Sequence, residues 1–258
     1  VLIGVSLALA VAREGQPPAA TPPVAGEPPR PTPIPVPDGP VVKKSEPAPG
    51  LIAEDLKIGE GAEIKPGAAV VAHYHGTLKA DGKIFDSSFQ RGEPIAIPLS
   101  NVIKGWQLGV PGMRIGGVRR LTIPAALGYG ERGAGGDIPP NADLVFTIQV
   151  VDALLVEDLK EGQGEAASDQ CLAVTTYTIT DKEGKVVEQS ESGRPYVWLP
   201  GEYQAIDAGV EGMKVGGKRR LTVPAQFNVT APQLAGSRPQ NVPVTIELEL
   251  VALRNLGR

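Results

Sequence analysis

Three sets of residues have types and spacing that could do chemistry. The first is Gly128-x-Gly130-x-x-Gly133, the glycine spacing of a dinucleotide-binding turn. The strand-like run Arg119–Ile123 precedes it, and Asp152 follows at about the distance of a ribose-binding acid. That chemistry needs a helix opening at the glycines, whose N-terminal N–H groups hold the pyrophosphate. Gly135-Gly136 are poor helix formers and Pro139-Pro140 cannot sit inside a helix, so no crossover helix fits. A glycine-rich loop between two strands is expected, and no nucleotide cofactor. The second set is His73 and His75, two imidazoles on one face of a strand. No third ligand is suggested nearby, so a packed or solvated pair is expected and no metal. The third is Cys171 in the apolar run CLAVTTYTIT. No histidine lies in that half of the chain, which points to a buried inert thiol rather than a nucleophile.

The elements that must carry such residues come from the pattern of the whole chain. It has 258 residues, 41% hydrophobic and 21% charged, with a formal net charge of -4. That is ordinary for soluble globular protein and leaves room for two small domains. The mild acidity gives no general pull toward nucleic acid or anionic membrane. Residues 1–12, VLIGVSLALAVA, are apolar and uncharged, too short to span a bilayer. They read as part of a signal peptide, with Ala10-Val11-Ala12 at its cleavage site, or as an N-terminal anchor, and either reading implies export to the periplasm or cell envelope. Residues 13–50 hold half of the 26 prolines and are expected to be a disordered tether, with a proline-rich ligand segment as the alternative.

The remainder repeats itself. EDLKIGEGAEI at 54 returns as EDLKEGQGEAA at 157, and GVPGMRIGGVRRLTIPA at 109 returns as GVEGMKVGGKRRLTVPA at 209. A period near 100 residues is too long for a solenoid unit and fits two tandem domains, 51–155 and 156–258. Within the first copy five strand-like segments surround one short helix, read from SNVIKGWQLGV with its Ser/Asn start signal. The fold class expected is α+β, each copy an antiparallel sheet packed on a helix.

HYHGTLKADGKIFDSS, VIKGWQLGV and LGYGERGAGGDIPPNADLVF resemble an FKBP-type peptidyl-prolyl isomerase of the bacterial kind, from about residue 52 to 154. The second copy resembles the family in its scaffold segments. The resemblance implies two tandem FKBP-like domains, each a sheet half-wrapped around a short helix with an apolar pocket between them. It implies catalytic roles for Tyr74, Phe85, Asp86, Ile103, Trp106, Tyr129 and Phe146, and substrate contacts at Ile95, Val102 and Ile138. Trp106 would be the floor for a proline ring. The Ile103 N–H and the Tyr129 hydroxyl would hold substrate carbonyls. The glycines of 128–136 would fold the loop over the pocket mouth, anchored by Ile138-Pro139-Pro140. Ile95, Ala134 and Asp137 depart from residues common in the family, which bears on substrate preference.

Proline-containing polypeptides are the implied partners, with rapamycin-like macrolides as pocket ligands. In the second copy Tyr177 keeps the Tyr74 position. Val187, Glu188, Ile206 and Val244 are expected to replace Phe85, Asp86, Trp106 and Phe146, with Val229 in place of Tyr129. The expected function is therefore prolyl isomerisation during folding of exported proteins, active in the first copy only. A non-catalytic chaperone or partner-binding module is the alternative.

Overall fold

The computed structural model describes residues 31–168, 171–191, 194–229 and 240–255. The apolar run 1–12 and residues 13–30 of the expected tether lie outside the described residues, as does most of the second copy's counterpart of the glycine-rich loop. The described elements belong to the unit that begins at Thr32.

The first copy runs β1 (Lys43–Ala48), β2 (Leu51–Lys57), β3 (Ala69–Leu78), β4 (Ile84–Ser87), α1 (Ser88–Arg91), β5 (Ile95–Pro98), α2 (Lys104–Gly109), β6 (Val118–Ile123) and β7 (Leu144–Lys160). The second copy continues with β8 (Cys171–Thr180), β9 (Val186–Gln189), β10 (Tyr196–Trp198), α3 (Gln204–Val210), β11 (Lys218–Val223) and β12 (Val244–Asn255). The strand order is β1-β2-β6-β7-β11-β12-β8-β10, with β3 on β7 and carrying β4 and β5, and β9 on β8. The α+β class holds, and helices are few and short.

Two local differences from the sequence reading have plain causes. Residues 43–48 were expected inside the disordered tether but form β1, antiparallel to β2. No proline falls between Pro40 and Pro47, so the run Val41–Glu46 keeps all its backbone donors, and a free sheet edge at β2 takes them up. The expected helix at 100–110 starts later than its Ser/Asn signal. Leu99–Asn101 is a 3-10 turn, and α2 opens at Lys104 with Ile103 as its capping residue.

The long strand β7 carries the repeat boundary. Its first part pairs with β3 as far as Leu154, opposite Ala69, and from Leu155 it pairs with β11. One strand thus closes the first sheet and opens the second, with no linker residue between. The burial of β3 follows from this. Val70, Ala72 and Tyr74 face the first core, whereas Ala69 and Val71, with Leu154 of β7, belong to the second core. A fully buried Val or Leu contributes about 1.5–3 kcal/mol, so the second copy is fastened to the first by core packing as well as by backbone.

In each copy an arginine ties helix to sheet. Arg119 donates to Asp55 at 2.6 Å and to the Gly109 carbonyl at the end of α2 at 2.7 Å. Arg219 does the same with Asp158 and the Gly209 carbonyl, both at 2.7 Å. This is why the repeated RRL segment begins with arginine: a fixed cation satisfies the last carbonyls of a short helix that cannot end on its own.

Candidate functional site

The concave face of the first sheet holds an aromatic nest under α2. Trp106 is buried on the helix and meets Tyr74 of β3 and Phe146 of β7 edge to face, with ring centroids 5.8 and 5.5 Å away. Phe85 of β4 stands edge-on to Phe146 at 5.4 Å. Strand alternation puts Tyr74 and Phe146 on this face, and Gly76 makes room for the rest. A Cβ at Gly76 would come within 2.6 Å of the Phe85 ring and 2.9 Å of the Phe146 ring. Ile95, Val102 and Ile103 are half-buried against the same core.

The polar rim is a three-residue network. The Tyr74 hydroxyl donates to the Asp86 carboxylate. Arg91 reaches over both, its guanidinium bonded to Asp86 and donating to the Tyr74 oxygen at 2.8 Å. Burial and the Asp86 carboxylate push the Tyr74 phenol up to about 12. Burial alone would raise the Asp86 carboxyl, but the bonds from Tyr74 and Arg91 outweigh it and hold it below the usual carboxylate range. Tyr74 therefore stays a neutral donor and Asp86 an anion through the neutral pH range. Arg91 was missed from sequence. The signal was Ser87-Ser88-Phe89-Gln90, a capping-box pattern directly after Asp86. Ser87 caps α1 and the one-turn helix brings Arg91 back over the carboxylate.

The glycine-rich loop forms two 3-10 turns, Ala125–Leu127 and Gly130–Arg132, and no α-helix starts at the glycines. Tyr129 sits between them, partly exposed, where burial and the charge of Asp86 raise its phenol. The loop closes on itself through Ala134 and buried Ile138, which exchange backbone bonds of 3.0 and 3.2 Å. Gly133 is required there, since it has φ +63° and a Cβ would lie 2.3 Å from the Ile138 carbonyl. Asp137 pairs with Lys83 at 2.9 Å. Val102 and Ile103 lead into α2. The Val102 carbonyl accepts from Gln107 at 2.8 Å, and the Ile103 N–H has no protein acceptor among the described residues. The structure thus brings the ten expected residues into one region, with Phe85, Trp106 and Phe146 as floor and Tyr74, Asp86 and Tyr129 at the rim.

The other two chemical candidates lie elsewhere. His73 and His75 are on the opposite face of β3, bonded to Ser88 and Ser87 at 3.2 and 3.1 Å, and burial lowers both imidazoles. His73 stacks on Phe89 at 4.9 Å. Cys171 was expected to be buried but is half-exposed at the start of β8, 3.3 Å from the Ser168 hydroxyl, because a strand's first residue lies at the sheet margin.

The second copy is built differently at the same place. The strand registers put Ile246, not Val244, at the Phe146 position, since Phe146 pairs with Leu121 and Gly76 while Ile246 pairs with Leu221 and Ile179. The expected match was misaligned by two residues, which in a strand preserves the face and so escapes a hydrophobicity pattern. Ile179 replaces Gly76 and is buried. The polar pair is not wholly lost: Tyr177 donates to Glu188 at 2.5 Å. Arg194, however, pairs with Glu191 at the surface.

The second copy also places its own aromatic side chains in this part of the fold. Register places Tyr196 and Trp198 of β10 where the first copy has Ile95 and Ile97. Trp198 donates to Thr175 at 2.8 Å and packs 5.1 Å from Tyr177 and 5.9 Å from Tyr203. Tyr203, at the Ile103 position, is 1% exposed and donates to Asn228 at 2.7 Å.

Fold and site together define an α+β protein with an aromatic cluster under a short helix, rimmed by a tyrosine–aspartate–arginine network and a glycine-held loop. The family model for FKBP-type peptidyl-prolyl cis-trans isomerases matches residues 60–151 and again 163–251. The chain belongs to that family, and both copies belong to it. The chain is 55% identical over 109 residues to a peptidyl-prolyl cis-trans isomerase of Saccharomyces cerevisiae, covering 38% of this chain and 81% of that one. It is 49% identical over 104 residues to an FK506-binding protein of Neisseria meningitidis serogroup B, covering 40% and 94%. The FK506-binding protein 4 of Rhizopus delemar is 52% identical over 104 residues, 40% of this chain but only 27% of the fungal protein.

Proposed function

We propose that the first copy catalyses cis–trans isomerisation of X-Pro bonds in exported polypeptides, and that the second copy does not. The observation that carries this reading is the contrast at one position in the fold. The first copy has an aromatic floor with an unused Ile103 N–H at its edge, and the second has Trp198 and Tyr203 of its own in that space.

The chemistry asked of the site is modest. The X-Pro barrier, about 18–20 kcal/mol, is the amide resonance lost on twisting. No nucleophile is required. The twisted amide has a less polar carbonyl than the planar one, so a water-poor aromatic pocket favours it relative to water. Lowering the barrier by about 5.5 kcal/mol accelerates the exchange ~10⁴-fold. Trp106 would seat the proline ring. The Ile103 N–H and Tyr129 hydroxyl would fix the flanking carbonyls. Arg91 would hold Asp86 and Tyr74 still, so that the rim need not reorganise when the bond twists.

Relatives named as FK506-binding proteins suggest that compound as a second ligand of the same pocket, and the resemblance read from the sequence extends this to rapamycin-like macrolides. Export rests on the apolar run 1–12 and the proline-rich stretch behind it.

The test is the relaxation of a Leu-Pro peptide with the full chain. Acceleration is expected, with loss in Asp86→Leu and no change in Tyr177→Phe. No acceleration at micromolar enzyme would sink the enzyme reading. Equal losses in the two variants would sink the assignment to one copy. A reporter fused after residue 50 should appear outside the cytoplasm, and retention inside would remove the export reading alone.

A further inference from the structure

Where the two copies meet, a cavity of about 360 Å³ opens between β5 with the turn after it and α3 with β10. That is within the size range of small-molecule sites, roughly 300–1,000 Å³. Its apolar walls are Ala96, Pro98, Ala173, Trp198, Ile206 and Phe227, and the neutral polar side chains of Ser100, Asn101, Ser168 and Gln204 also line it. One end is acidic, with Asp207 on α3 and Glu211 just past its end. No Lys, Arg or His lines it, and neither carboxylate has an ion pair among the described residues.

This combination selects a ligand by exclusion. An anion would meet two carboxylates. For a metal ion, no group of three His, Cys, Asp or Glu side chains that could hold one occurs among the described residues. A neutral apolar molecule would leave the acidic end unmatched. We propose that this seam cavity is a binding site for a small organic cation with an apolar body, an arylalkylamine in class, its ring against Trp198 and its ammonium toward Asp207 and Glu211. Surrounding protein, with Glu202 nearby, pushes the Asp207 carboxyl up to about 6 despite a bond from the Gly201 N–H at 3.0 Å. A bound ammonium would favour the ionised form that this environment penalises.

The site is distinct from the isomerase pocket because β5 stands between them. Ile95 and Ile97 pack on the first core, and Ala96 between them packs on the second. Both copies supply walls, so the cavity exists only in the tandem chain.

The experiment is calorimetric titration of the full chain with 2-phenylethylammonium, beside its neutral isostere 2-phenylethanol. Saturable uptake is expected, at least tenfold weaker for the alcohol and at least tenfold weaker for the amine in an Asp207→Asn, Glu211→Gln variant. A saturating proline peptide should leave the amine bound. Absent uptake, equal binding of amine and alcohol, equal binding by the double variant, or displacement by the proline peptide would each overturn the proposal. The comparison of amine with alcohol uses the unaltered protein, so it stands even where the variant fails to fold.

Discussion

The two copies share a scaffold and diverge at one volume. In the first, the space between helix and sheet is floored by Trp106 and Phe146, with half-buried Ile95, Val102 and Ile103 beside them. In the second, β10 and the entry to α3 fill it with Trp198 and Tyr203, and Ile179 takes the clearance that Gly76 provides. The lesson is that a binding site is a deliberate deficit in a core. Filling it returns packing energy to the fold and removes the place where a foreign ring could be desolvated.

The sharpest way to break that comparison is to cut into both cores. Tyr203→Ala should cost about 3–5 kcal/mol of stability by cavity formation, with isomerase kcat/KM unchanged within about twofold. Trp106→Leu should do the reverse, lowering kcat/KM by roughly 100-fold, or about 2.7 kcal/mol of transition-state binding. Chemical denaturation beside the peptide assay measures both. A loss of activity in Tyr203→Ala without unfolding would mean the second copy shares the catalysis.

The arginine ties give a smaller contrast. Asp55 is 8% exposed beside Arg119, whereas Asp158 beside Arg219 is 57% exposed. Arg119→Met strands a buried carboxylate and should cost about 3 kcal/mol or more. Arg219→Met lets Asp158 return to water and should cost about 1–2 kcal/mol. Equal penalties in urea titrations would show that the carbonyl bonds, common to both, dominate over the ion pairs.

At the rim, Arg91→Met should lower kcat/KM about tenfold, since one charge-assisted contact holding Asp86 and Tyr74 is lost. Arg194→Met, on the surface of the second copy, should change it less than twofold. The pH profile sharpens the same point. Asp86, held low, contributes stability that is present above the ordinary carboxylate value and lost only as pH falls through its lower folded value. Tyr74 stays protonated up to about 12. From pH 6.5 to 9 kcat/KM should therefore be flat, and a bell in that window would contradict a mechanism without proton transfer.

The smallest effect concerns Asp207. Its carboxyl is raised in the fold, to about 6 against an ordinary 3.8, so ionisation costs stability above pH 6 and the cost fades as pH falls toward 4. Asp207→Asn should stabilise the protein at pH 8 by on the order of 1 kcal/mol or less, given its solvent contact, and should make no difference near pH 4. Thermal melts at the two pH values check this; a variant less stable at pH 8 would reverse the sign.

The amino-acid sequence alone determined the duplication, the α+β class and the membership of both copies in one family, because repeats, strand alternation and turn glycines are local in the chain. It also spoke against the dinucleotide reading, since Gly135-Gly136 are poor helix formers and Pro139-Pro140 break a helix interior. Most of the first copy's candidate site could be proposed for the same reason: Tyr74, Asp86, Trp106 and Tyr129 lie in long contiguous motifs. Arg91 was not, because its role depends on how one turn of helix aims a flexible side chain. The match of Val244 to Phe146 failed because a shift of two residues leaves the hydrophobic alternation intact, and only the pairing of Ile246 with Leu221 and Ile179 reveals the register.

Tertiary structure alone decided how the copies join. Nothing in the alternation of β3 says that Ala69 and Val71 face a different core from Val70 and Ala72, since both faces are apolar. Nothing local says that β10 lends its aromatic side chains to the space that Trp106 and Phe146 define in the first copy. Those are contacts between segments far apart in the chain, set by which surfaces remain to be covered once each sheet has formed, and so they appear only when the whole chain is packed.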